Sequence, residues 1–125
     1  MKELKIDINE KITNIDEVSK ITSLQKLTLT RCNLHGKMID FSNLTNLTYL
    51  DLQNNTLWSE DLENLKALKN NEGLTIDLRN NSIKDASALY ELSPSTIIDL
   101  RNNINLTQES KTELRRIFGS NVKFD

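Results

Sequence analysis

The chain holds one cysteine, one histidine and one tryptophan in 125 residues, and each scarcity removes a class of chemistry. A lone Cys32 makes no internal disulfide and has no CxxC partner, so a disulfide scaffold and a dithiol redox centre are both excluded. With His35 as the single histidine, a zinc site or a histidine-based triad has almost nothing to draw on. No metal, cofactor or enzymatic activity is expected. No apolar run approaches the ~20 residues of a membrane-spanning helix, so no membrane insertion is expected. The 16 Lys and Arg are interspersed with 18 Asp and Glu for a net charge of −2, and the basic stripe that nucleic acid demands is missing. Met1 leads into Lys2-Glu-Leu-Lys5 without an apolar h-region, so no secretion signal is read there. The compartment stays open: cytoplasm for the chain as it stands, the cell surface or secretion if it is part of a longer one.

What the chain does have is a recurring segment. Four copies share one frame: Leu24-Gln-Lys-Leu27-Thr-Leu29-Thr-Arg-Cys32-Asn-Leu34, Leu47-Thr-Tyr-Leu50-Asp-Leu52-Gln-Asn-Asn55-Thr-Leu57, Gly73-Leu-Thr-Ile76-Asp-Leu78-Arg-Asn-Asn81-Ser-Ile83 and Ile98-Asp-Leu100-Arg-Asn-Asn103. Ile6-Asp-Ile8 and Val122-Lys-Phe124 read as weaker flanking copies. With strand positions at Ile6, Leu27, Leu50, Ile76, Ile98 and Val122, the steps are 21, 23, 26, 22 and 24 residues. Apolar residues two apart share a strand face and enter the core. Strands recurring in one direction at this spacing stack as a parallel sheet, and each repeat buries its apolar side against its neighbours.

At the end of each strand, an inward Asn55, Asn81 or Asn103 satisfies backbone groups of the turn and of the adjacent repeat. An unpaired group there costs roughly 1–3 kcal/mol. Cys32 fills the same place as a small buried group, while in the first copy Glu10 and Lys11 stand where the Asn is expected. The return segments Ile15–Leu24 and Asp85–Leu92 place apolar residues every third position, which suits 3₁₀ turns. Ser59–Leu68 has acids in its first turn and basic residues towards the other end, and is read as an α-helix capped by Ser59. A second helix runs from the Thr107 cap to a Gly119 stop.

The frame L-x-x-L-x-L-x-x-N/C-x-L resembles the leucine-rich-repeat family. Lys11-Ile-Thr-Asn-Ile15-Asp-Glu-Val18-Ser-Lys-Ile21-Thr-Ser-Leu24 and Asn81-Ser-Ile83-Lys-Asp85-Ala86 are similar to its bacterial internalin-like variant. The resemblance implies one domain over residues 1–125, an α/β right-handed solenoid. About six parallel strands would form its concave sheet, with short helices or 3₁₀ turns on the convex side. It implies a non-enzymatic module, monomeric, that binds an unidentified protein partner. The alternative is a structural spacer or capping segment of a larger protein. The sequons at Asn43, Asn46, Asn54, Asn80 and Asn105 are expected by chance in so Asn- and Thr-rich a chain.

Outward residues then form three columns: Asp7, Thr28, Asp51, Asp77, Asp99 and Lys123 in the middle; Asn9, Thr30, Gln53, Arg79, Arg101 and Asp125 beside it; Lys5, Lys26, Tyr49, Thr75, Ile97 and Asn121 on the other side. Stacked at about 4.8 Å, neighbouring Asp residues repel by about 1 kcal/mol at water's dielectric and about 3 kcal/mol at an effective value of 20. Arg79 and Arg101 stand close enough to offset much of that. The expected partner-binding residues are Tyr49, Asp51, Gln53, Asp77, Arg79, Ile97, Asp99 and Arg101. Six strands span roughly 25 Å and three residues about 10 Å, which barely reaches the ~800 Å² per partner of a standard interface. Stronger binding would recruit rim residues such as Arg31, His35, Asn54 and Trp58, although Trp58 reads more readily as packing for the long third repeat and His35 as a turn residue. A glycan would need an aromatic platform, and these columns offer only Tyr49.

Overall fold

A computed structural model describes residues 1–125. Six strands form one parallel sheet in chain order: β1 Glu3–Asp7, β2 Lys26–Thr30, β3 Tyr49–Asp51, β4 Thr75–Asp77, β5 Ile97–Asp99 and β6 Val122–Lys123. The inward pairs Leu27/Leu29, Leu50/Leu52, Ile76/Leu78 and Ile98/Leu100 are buried. They belong to one cluster of 31 buried residues, so the repeats share a single core. Each such side chain contributes roughly 1.5–3 kcal/mol on burial. No helix is long and apolar enough to cross a membrane.

The Asn ladder forms as expected. Asn55 Oδ1 accepts the Cys32 N–H at 2.8 Å, and Asn81 Oδ1 accepts the N–H groups of Asn55 and Leu57, both at 3.0 Å. Asn103 Oδ1 accepts the Ile83 N–H at 3.1 Å. The amide nitrogens donate to carbonyls of their own and the preceding repeat, as Asn55 Nδ2 does to Leu29 O at 2.6 Å and Leu52 O at 3.0 Å. A second set of bridges was not read from the sequence: buried Asn71 donates to Leu44 O and Leu47 O at 2.9 and 3.0 Å before β4.

The first repeat sits two residues earlier than the alternation suggested. Leu4 pairs with Leu27 and Ile6 with Leu29, so the steps from Leu4 run 23, 23, 26, 22 and 24. Ile6 is therefore the second inward residue, and Ile8 lies outside the strand. Asn9, not Glu10 or Lys11, holds the ladder position, at the exposed end of the row. Alternation alone permits both registers, because a shift of two residues keeps every side chain on its own face.

The residue before each ladder position adopts positive φ: Ile8 at 55°, Arg31 at 53°, Asn54 at 60°, Asn80 at 59° and Asn102 at 63°. Asn tolerates this region, but a β-branched side chain there is strained by roughly 1–2 kcal/mol. Ile8 is exposed and loses nothing by replacement. Ile8→Asn should raise unfolding free energy by about 1 kcal/mol, as measured by urea denaturation; an unchanged midpoint would remove the strain.

Ser59–Leu68 is a 3₁₀ helix rather than the expected α-helix. Leu62, Leu65 and Leu68 recur every third residue and are all buried. Three residues per turn puts them on one face, whereas an α-helix would rotate them apart. Ser59 does not cap it. Ser59 Oγ instead accepts the N–H groups of Lys84 and Asp85 at 3.1 and 2.9 Å. The 3₁₀ turns Ile15–Lys20 and Ser87–Leu89 are as read. So is helix α1, Gln108–Phe118, in which Thr107 Oγ1 accepts the Ser110 N–H and Gly119 follows at φ 58°.

Candidate functional site

The parallel register carries the outward residues into columns. Thr28, Asp51, Asp77, Asp99 and Lys123 align across β2–β6. The first members change with the register: Lys5, not Asp7, stands beside Thr28; Asp7, not Asn9, pairs with Thr30; Glu3, not Lys5, faces Lys26. Tyr49, Thr75 and Ile97 line up as expected.

Each Asp of the row lies at a strand end where the chain turns, and its carboxylate accepts the N–H two residues on. Asp51 Oδ1 takes that of Gln53, Asp77 Oδ1 that of Arg79 and Asp99 Oδ1 that of Arg101, each at 3.1 Å. The turn also swings the side chain of that second residue back over the carboxylate. Arg79 clasps Asp77 through Nε to Oδ1 at 3.0 Å and Nη2 to Oδ2 at 2.7 Å, and Arg101 clasps Asp99 at the same two distances. Arg79 Nε also lies 3.5 Å from Asp99 Oδ2. Bidentate bonds of this kind are the strong ones.

Burial pushes the Asp99 carboxyl up, but the hydrogen bonds from Arg101 and the charges of Arg101 and Arg79 outweigh it and hold the group below its ordinary value. Arg79 is raised by its hydrogen bond to Asp77 and by that carboxylate's charge. In the third repeat the covering group is neutral: Gln53 Nε2 reaches both oxygens of Asp51 at 3.1 Å. Seven of the eight expected residues thus fall into two states. Asp77, Arg79, Asp99 and Arg101 are paired among themselves over β4 and β5. Tyr49, Asp51 and Gln53 border a depression over β1–β3 that also includes Lys5, Lys26 and Thr28. Ile97 is exposed on the far side. Burial, then the charges of Asp51 and Asp77, raise the Tyr49 phenol.

The flank holds a constellation with no sequence signal. Asp61, buried in the 3₁₀ helix, accepts the N–H groups of Gly36 and Trp58 at 2.8 and 2.7 Å, and its Oδ2 lies 2.7 Å from His35 Nδ1. The His35 and Trp58 rings stack with centroids 4.2 Å apart. His35 is therefore a tie between the second and third repeats rather than an ordinary turn residue. Trp58 packs on that imidazole with half its surface exposed instead of closing the core. Cys32 is buried, its thiol pushed up by desolvation, and donates to Thr30 O at 3.3 Å. No three His, Cys, Asp or Glu side chains converge where they could hold a metal ion.

Comparison with known proteins agrees with this geometry. Residues 46–68 match the family model described as Leucine Rich Repeat. The structure is similar to internalin C2 from Listeria monocytogenes strain 4b F2365, at 24% identity and a TM-score of 0.61, over 100% of this chain and 62% of that one. The chain thus spans less than two thirds of that internalin's length. No curated protein matches it in sequence. The match, the structural likeness and the six parallel strands together show the leucine-rich-repeat solenoid fold that the motifs imply.

Proposed function

We propose that this chain is a non-enzymatic protein-binding module acting through the concave face of its sheet. One observation carries the reading: a six-stranded parallel sheet presents aligned rows of side chains on a backbone fixed by the ladder and a common core. A surface ordered in advance loses little entropy when a partner docks. The paired Asp and Arg residues of β4 and β5 form its rigid half, and the depression beside Tyr49 its open half.

Capture from lysates with three proteins tests this. Wild type and a convex variant, Glu63→Lys with Lys66→Glu, should retain the same protein. A concave variant, Tyr49→Ser with Ile97→Asp, should bind it at least tenfold more weakly while keeping the wild-type circular dichroism. Loss in the convex variant with retention in the concave one would move the site to the other face. A second reading, a spacer within a larger protein, draws on Leu4, Ile6, Ile12 and Ile21. These are only partly buried and leave an apolar end beside β1.

A further inference from the structure

The repeat carries its own standard for what covers an Asp in the middle row, and one repeat departs from it. Asp77 and Asp99 are each held by a guanidinium from the residue two positions on. At the equivalent place the third repeat has Gln53, and no Lys or Arg lies within ion-pair distance of Asp51. Asp51 is nonetheless only 8% exposed, as deep as Asp77 at 7%. A carboxylate offers about four acceptor sites; Asp51 takes three hydrogen bonds from Gln53, and its other close neighbour, the Tyr49 phenol, is neutral as well. A buried carboxylate is best satisfied by a cation with donors of matching geometry, and the planar fork of arginine supplies both.

The place for that cation is the depression over β1–β3. Tyr49 provides an aromatic wall, and a guanidinium over such a ring gains a further attraction. Lys5 and Lys26, also in the lining, take part in no ion pair. Both stand on the β1–β2 side of Asp51, where they complement acidic residues next to an incoming base.

We propose that the depression receives an arginine side chain of a protein partner, flanked in that partner by acidic residues, with its guanidinium against Asp51 and Tyr49. It does there what Arg79 does for Asp77. The inference rests on the concave-face reading and names the chemistry that face recognises.

The probe is the acetylated, amidated tripeptide Glu-Arg-Glu, titrated into the full chain and followed by amide chemical shifts. Its control is Glu-citrulline-Glu, which keeps the shape and loses the charge. Saturable shifts at Tyr49, Asp51 and Gln53 are expected with the arginine peptide, and binding at least tenfold weaker with citrulline. Gln53→Arg places a guanidinium on Asp51 from within the chain, so this variant should fold as wild type and bind the arginine peptide at least tenfold more weakly. Equal shifts from both peptides, shifts elsewhere, or unchanged binding by Gln53→Arg would overturn the proposal. If the peptide fails while the concave variant still loses the captured protein, the arginine seat falls and the concave-face reading stands. If capture also ignores the concave variant, both fall.

Discussion

Asn81→Ala should destabilise the fold by about 4 kcal/mol, roughly twice the effect of Asn55→Ala. The ratio follows from which backbone groups each leaves without a partner. Asn81 Oδ1 accepts two N–H groups, those of Asn55 and Leu57, whereas Asn55 Oδ1 accepts only that of Cys32. The carbonyls released by Asn81→Ala matter less, because Leu52 O and Leu78 O are shared. Leu52 O still receives Asn55 Nδ2, and Leu78 O still receives Asn103 Nδ2, once Asn81 is gone. Each orphaned buried N–H costs about 1–3 kcal/mol, so two lie near 4 kcal/mol and one near 2. Urea denaturation of the two variants at neutral pH measures both. Equal losses would show that the cost lies in the cavity left by the side chain, not in the ladder.

The ladder also explains how much of the fold was legible. Leu27/Leu29 through Ile98/Leu100 alternate in one frame with an Asn or Cys at a fixed offset, and two coupled signals of that kind fix strand, face and turn together. Where one signal stood alone, it misled. Ile6-Asp-Ile8 alternates as well as Leu4-Lys-Ile6, and Asn9, the residue that decides between them, counts only once Ile8 is recognised as the left-handed position. Along Ser59–Leu68 the acidic start and basic end are common to α and 3₁₀ helices, so the three-residue spacing of Leu62, Leu65 and Leu68 should have prevailed. The columns of the candidate site came from the same period-two pattern and survived everywhere but in β1. The clasp of Asp77 by Arg79 did not emerge, because residues two apart in a strand merely share a face. It needs the chain to turn just after the strand so that N–H and side chain both return to the carboxylate. The tie between His35 and Asp61 joins residues 26 apart in different repeats, a separation that leaves no local mark.

That clasp gives the second large effect. Arg79→Met should cost about 2 kcal/mol at pH 7, and the cost should shrink in acid. The substitution keeps an apolar stem and removes the guanidinium that bonds Asp77 at 2.7 Å and approaches Asp99 at 3.5 Å. Hydrogen bonds to charged groups contribute about 1.5–3 kcal/mol each. The partial exposure of Arg79 brings the sum of its bonds down to the stated figure. The sign with pH follows from Asp99, whose folded value lies below its ordinary one partly through the charge of Arg79. A lowered carboxyl contributes stability that is fully present above the unfolded value of about 3.9 and is lost as pH falls through the folded value. Removing Arg79 takes away part of that contribution, so the gap between the two proteins is widest above about pH 5 and narrows below it. Urea midpoints at pH 7, 5 and 3 decide the matter. A gap that stays constant over the series would mean that what the Arg79 guanidinium contributes does not depend on the charge of Asp99, and the pairing across the two repeats would then play no part in the stability of the sheet.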